Sequence, residues 1–231
     1  MFLCNWDEGR RSQRGPENRD DGAYNSQVKI QFAFIILSAA LCPLIQAQSV
    51  TVTADAWPDE SISRTYMALD ADCRDLVSKH GDPKQTVAAC KKVADEADKF
   101  APQSHYITRR GAYVFYTTAL IQAKKYQDAV TSGDKAVSVV LLGHDDSSGS
   151  SAAYGVRGQA KAFAGDLVGA DVDLEKAETF ERNALIGPAG QDLKVPYSRT
   201  LKGLLAFHAQ VLAAMGKRDA AGIKLEEANK L

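Results

Sequence analysis

The sequence predicts an all-α protein built of helical hairpins, and three observations carry that expectation. From residue 60 onward no stretch keeps the period-two alternation of a half-buried strand, while apolar residues recur at spacings of three and four. The strong helix formers Ala, Lys, Glu, Leu and Gln dominate the same region. Short turn signals and two longer connections rich in Gly, Ser, Asp and Pro then divide it into helical segments. The 231 residues are 45% hydrophobic and 25% charged, with 28 basic side chains against 29 acidic ones, a globular and almost neutral composition. Neutrality without a basic stripe argues against nucleic acid as a partner.

Residues 1–27 are polar and rich in Gly, Asn and Arg, with no apolar periodicity that could build a core. They are expected to be a disordered leader or an overcalled start, with translation beginning near Val28. Lys29 then precedes the apolar run Ile30 to Ile45, which is followed by "QAQS" with the small Ala47 before the expected cut. Basic, apolar and small-residue segments in that order read as a secretory signal over residues 28–47. The run is broken by Gln31, Ser38 and Pro43 and falls short of the ~18 to 20 residues a spanning helix needs, so the mature chain has no expected membrane span. An uncleaved N-terminal anchor is the alternative. A lipoprotein cut before Cys42 would place Leu41 where a small residue is wanted, and Arg10-Arg11 lie too far from the run for a twin-arginine signal. The expected location is periplasmic or extracellular, in the manner of an exported bacterial protein.

After a flexible stretch at 48–59, the first hairpin (60–100) joins helices predicted at 60–79 and 84–100 through "HGDP", with Pro83 suited to a first helical turn. Cys73 lies seven residues before His80 and Cys90 seven after Pro83, so an antiparallel hairpin brings the two to the same height. Cys4 and Cys42 go with the leader, which leaves an even pair in an oxidising compartment and predicts a Cys73–Cys90 disulfide. Two unpaired buried cysteines are the alternative; zinc or redox roles lack both C-x-x-C spacing and nearby histidines. The second hairpin (104–140) joins helices at 104–123 and 126–140 across Lys124-Lys125. "LGHDDSSGS" leads to the third (151–183), with helices at 151–164 and 167–183 joined at Gly165-Asp166. "IGPAGQDLKVP" leads to the fourth (197–230), with helices at 197–215 and 218–230 joined at Gly216-Lys217.

Laid over one another, the last three hairpins repeat a pattern. "GDLVGADVDLEKA" places Ala170 and Ala177 after its turn, "GKRDAAGIKLEEA" places Ala221 and Ala228, and "KKYQDAVTSGDKA" places Ala129 and Ala136. Seven residues before each turn stand Thr117, Gly158 and Ala209. Small residues at such places let two helix backbones approach closely. The pattern resembles the tetratricopeptide repeat (TPR) family, with Tyr113 and Tyr154 at the aromatic position of the first helix. It covers residues 104–231; the 60–100 hairpin has the turn without the two alanines in phase. Successive turns lie 51 (216 − 165) and 41 (165 − 124) residues apart, against ~34 in the regular repeat, so the resemblance is to a degenerate, loop-expanded member.

The resemblance implies a short α-solenoid, wound as a right-handed superhelix, whose first helices line a concave groove for a protein or peptide segment. By register that groove carries Val114, Phe115, Thr118 and Gln122, then Val156, Gln159 and Phe163, then Lys202, Phe207 and Gln210. Thr118, Gln159 and Gln210 recur at equivalent places, and uncharged hydrogen-bonding groups among aromatic anchors suit an extended backbone. Lys202 is the sole cation of that set. The alternative reading of Phe115, Phe163 and Phe207 is as core, packing on their own second helices.

A catalytic reading finds no support. His80, His105, His144 and His208 fall in no catalytic pattern and are expected at turns, caps or the surface. "GHDDSSGSS" reads as a solvated loop rather than a metal site. Asp171, Asp173 and Glu175 are spaced like calcium ligands, but Lys176 and Arg182 stand where such a loop needs glycine and a bidentate glutamate. On a helix, alternate residues cannot converge on one ion, so Asp171, Glu175 and Glu178 are expected to form a solvated acidic face. No cofactor or metal is expected. The reading favoured is an exported scaffold that binds a protein or peptide; the alternatives are an accessory domain or enzyme whose site only the fold assembles, and a structural envelope protein. N-terminal sequencing of the exported protein should find a mature chain starting at Gln48; any other start refutes the cleavage site.

Overall fold

Eight helices and no strand make up the described residues of the computed structural model, which are 60–99, 106–143, 148–187 and 194–231. They are α1 (Glu60–Ser78), α2 (Pro83–Lys99), α3 (Tyr106–Gln122), α4 (Tyr126–Gly143), α5 (Ser148–Ala164), α6 (Leu167–Ile186), α7 (Lys194–Ala214) and α8 (Arg218–Lys230). The expected leader (1–27), the expected signal (28–47) and residues 48–59 lie outside the described residues. Neighbouring helices pack in sequence order, and α3 touches α1 and α5 as well.

Four tight turns share one backbone solution. Just past α1, α3, α5 and α7, the residues His80, Lys124, Gly165 and Gly216 take positive φ values of 50°, 59°, 94° and 80°. Their N–H groups donate to Val77, Ile121, Ala162 and Ala213, and the next N–H groups, of Gly81, Lys125, Asp166 and Lys217, donate to Leu76, Leu120, Lys161 and Leu212. That double bond pattern is the Schellman motif, which satisfies carbonyls a helix end leaves orphaned. The following helix then begins identically: Thr86, Ala129, Ala170 and Ala221 donate their N–H to the carbonyls of Asp82, Lys125, Asp166 and Lys217.

This alignment explains why the first pair looks out of phase in sequence. Its turn carries one extra residue, Gly81, so the places of the paired alanines fall on Thr86 and Val93, both fully buried. It also puts Cys73 on the site held elsewhere by Thr117, Gly158 and Ala209, seven residues before the positive-φ residue. At that height the two helices of a pair approach closely. The Cys73–Cys90 sulfurs are 2.12 Å apart and their Cα atoms 4.9 Å. The Thr117 hydroxyl donates to the Tyr113 carbonyl at 2.7 Å and lies 3.0 Å from the Ser132 hydroxyl. A Cβ on Gly158 would meet the Leu174 Cγ at 3.0 Å and the Ala170 carbonyl at 3.3 Å. Thr117, Ala129, Ala136, Gly158, Ala170, Ala177, Ala209, Ala221 and Ala228 are all buried.

The main core gathers Val137, Val140, Tyr154, Leu174, Leu204 and Phe207 from α4 to α7, and a second gathers Tyr66, Val77, Val93 and Phe115 from α1 to α3. Two helices start three residues earlier than the sequence pattern shows. α5 starts at Ser148, three residues before the predicted 151, because small residues are packed there: Gly149 lies against the Arg110 guanidinium, and the Ser151 hydroxyl donates to the Ala177 carbonyl at 2.9 Å. α7 starts at Lys194 rather than 197, with Pro196 in the first turn, where a missing N–H costs nothing. α4 extends to Gly143, where any Cβ would collide with the Tyr106 ring.

The shared turn gives a paired prediction. A Cβ at Gly165 meets nothing within 4 Å, so Gly165→Ala carries the left-handed penalty alone, about 1 kcal/mol. Lys124→Gly should stabilise by about 0.5 kcal/mol, because a side chain already occupies the left-handed conformation there. Urea unfolding of both variants checks the signs, and two neutral outcomes would contradict the turn geometry.

Candidate functional site

The first helices of the four pairs carry a row of equivalent residues. Six places before the positive-φ residue stand Arg74, Thr118, Gln159 and Gln210, on α1, α3, α5 and α7. Arg74, which the sequence reading left out of this row, covers the Phe115 ring at 4.5 Å and pairs with Asp70 at 2.7 Å. The Thr118 hydroxyl donates to the Val114 carbonyl at 2.9 Å. Gln159 is only 4% exposed, and Gln210 is half-buried. The Gln210 Oε1 is buried with no hydrogen-bond partner among the described residues.

The remaining candidates divide by burial. Val114, Phe115 and Phe207 are buried; Gln122, Val156 and Phe163 are half-buried; Lys202 is exposed. The Gln122 Nε2 donates to the Val77 carbonyl at 3.1 Å, which ties α3 to the end of α1. Phe163 stands between Tyr126, stacked at 5.4 Å between centroids, and Phe207, tilted at 5.9 Å. Gln159 is one helical turn from Phe163 and Gln210 one turn from Phe207, spacings that put each pair on a common helix face. The junction of α5 and α7 thus brings together Gln159, Phe163, Phe207 and Gln210. Phe115 belongs instead to the core of α1 to α3.

A second constellation, absent from the sequence reading, joins α6, α7 and α8. Counted from the turn, Asp171 and Glu178 of α6 hold the places of Val87 and Ala94 in α2 and of Val130 and Val137 in α4. Across from them stands His208 of α7. Its Nδ1 lies 2.6 Å from Glu178 Oε1 and its Nε2 lies 2.7 Å from Asp171 Oδ1. Lys217 pairs with Asp171 at 2.8 Å, Lys224 and Arg182 with Glu178, and Arg182 with Glu227 at 2.9 Å. The expected surface histidine is 2% exposed here, and the expected solvated carboxylate of Glu178 is 0% exposed. His80 does stand exposed at its turn, while His105 and His144 lie outside the described residues. Asp173 is buried too, gripped by Arg157 at 2.6 Å and Lys161 at 2.8 Å.

The electrostatics follow from this geometry. Burial works against charge on His208, yet its bonds to Glu178 and Asp171 raise its pKa above the ordinary 6.5. Burial pushes Asp171 and Glu178 up, but their bonds to Lys217, Lys224 and His208 outweigh it and both fall below their ordinary values. Glu181, one turn beyond Glu178, has only the Ser151 hydroxyl opposing its burial and is pushed up to about 7. Lys217, Lys224 and Arg182 match Asp171, Glu178 and Glu227 three to three, with His208 between two of the carboxylates, and among the described residues no group of three or more His, Cys, Asp or Glu is placed to hold a metal ion. Only the equivalence of turns reveals the joint, since a carboxylate next to each of a helix's paired alanines reads as surface until its neighbour is known.

No family model matches the chain, and no curated protein matches it.

Stability should therefore depend on pH with a fixed sign. Asp171 and Glu178, lowered when folded, contribute above their ordinary values and lose that contribution as pH falls. His208, raised when folded, contributes fully below 6.5 and loses its contribution as pH rises through its folded pKa. Glu181 opposes folding increasingly as pH climbs from 4.5 to about 7, because only the unfolded chain lets it ionise. Glu181→Gln should be near neutral at pH 4 and stabilising by about 2 to 3 kcal/mol at pH 8 in urea unfolding. A gain independent of pH would show that Glu181 is ionised in the folded protein.

Proposed function

We propose that the chain is an exported scaffold whose helix pairs stack as a short, TPR-like solenoid and hold a protein or peptide segment on the face formed by α3, α5 and α7. The observation that carries this reading is the Gln210 Oε1, a buried acceptor without a partner among the described residues, on the same face as Gln159, Phe163 and Phe207. A buried polar atom left unbonded costs roughly 1 to 3 kcal/mol, so its retention calls for a group that arrives from outside. A backbone N–H of an extended segment is such a group, and the half-buried Phe163 beside it offers an aromatic anchor.

Export is supported by the Cys73–Cys90 bond, which suits an oxidising compartment. Lys29, the apolar run and "QAQS" supply the address.

Affinity capture from an envelope extract should recover a partner with the native protein and lose it, by at least about tenfold, with Gln159→Ala plus Phe163→Ala. Undiminished capture by the double variant would refute this face as the binding surface, provided its urea midpoint shows it folded.

A further inference from the structure

Both ring nitrogens of His208 face carboxylate oxygens, Glu178 at 2.6 Å and Asp171 at 2.7 Å. An ionised carboxylate only accepts hydrogen bonds, and a neutral imidazole has one donor and one acceptor nitrogen. The arrangement is therefore satisfied by an imidazolium, donating on both sides. The missing proton cannot be supplied by the acids instead, because Lys217 and Lys224 bind the same two carboxylates and Arg182 adds a second cation to Glu178. Glu227, the remaining acid in the group, is occupied by Arg182.

The two carboxylates of this joint stand where the second helices of the earlier pairs carry apolar side chains. At the α2–α3 and α4–α5 junctions, the places of Asp171 and Glu178 hold Val87 and Ala94, then Val130 and Val137. The place of His208 holds Tyr116 on α3, which packs among Val87 and Val130, and Arg157 on α5, which pairs with Asp134 of α4 at 3.0 Å. At the α6–α7 junction it holds an imidazole between two carboxylates. From the α5 side, the contact on α7 is apolar, through Phe163 on Phe207 and Gly155 beside Leu204.

We propose that His208 is a proton-operated clasp: protonated, it docks the α7–α8 pair on α6, and deprotonated, it loosens that pair from the rest of the chain. Loss of the proton turns one ring nitrogen into a lone pair facing a carboxylate oxygen, inside a joint where both are shielded from water. The apolar contacts of Phe207 and Leu204 stay, so the pair opens locally rather than the whole chain unfolding. The inference concerns the joint itself and stands whether or not the neighbouring face binds a segment.

Two measurements on the wild-type chain decide it: the ¹⁵N and ¹H resonances of the His208 imidazole, and amide hydrogen exchange mapped by peptide, both from pH 5.5 to 8.5. At the acid end the ring should show two bonded N–H protons. As it titrates, protection of α7 and α8, corrected for the intrinsic rate, should fall by up to about tenfold for each unit by which the folded pKa exceeds 6.5, while α3 and α4 keep theirs. A ring with a single N–H at pH 5.5 overturns the clasp, and so does α7–α8 protection that stays constant through the titration. His208→Arg keeps two donors and a permanent charge. Combined with Glu181→Gln, which removes the other group titrating in this range, it should leave α7–α8 protection constant with pH, and a wild-type pH dependence in this double variant would also overturn the proposal; if the variant does not fold, the wild-type measurements decide alone.

Discussion

Close approach of two helix backbones, seven residues back from a Schellman turn, is the constraint on which the rest of this structure depends. The turn fixes how the second helix leaves the first, and at that distance the geometry leaves little room for side chains. Each pair meets the constraint with different chemistry: a sulfur–sulfur bond at Cys73, hydroxyls at Thr117 and Ser132, the bare backbone of Gly158 against Leu174, and Ala209. The disulfide is thus a covalent version of a contact that the other pairs make by packing. That explains how it forms without a special local fold.

Once the turn and the approach are set, every position on the second helix has a fixed neighbour. Alanines face the helix before, and the residues at Val87, Val130 and Asp171 face the helix after. Apolar side chains at these places join successive pairs by burial, a force that pH leaves alone. Carboxylates at the last joint replace burial with ionic contacts, which must be matched group by group and depend on His208 holding its proton. Leu225, equivalent to the fully buried Leu174, is 47% exposed.

What the sequence makes legible divides along the same line. Contacts within a pair leave a local signature: small residues at fixed distances from a turn, readable at Thr117, Gly158, Ala170 and Ala177, and cysteines at matching heights. Contacts between pairs leave none, because they depend on which helix arrives next. Glu178 and His208 are thirty residues apart and look like surface groups in their own segments. A single insertion, Gly81, hides the first pair's equivalence, and with it the place of Arg74 beside Thr118, Gln159 and Gln210. Phe115 and Phe207 match in register but not in surroundings, since one lies in the α1–α3 core and the other against Phe163.

The unsatisfied Gln210 acceptor and the His208 joint lie within one helical turn of each other on α7, so the proposed binding face and the proposed clasp share one helix. All of this rests on the equivalence of the pairs, and a second staple tests that equivalence directly. Gly158→Cys together with Leu174→Cys places thiols where the third pair repeats the Cys73–Cys90 contact. After air oxidation, the mass of the double variant made as the chain from Gln48 onward, without Cys4 and Cys42, should show four fewer hydrogens than its fully reduced form, two from each bond. Two thiols that remain open to alkylation in the folded variant would contradict the account.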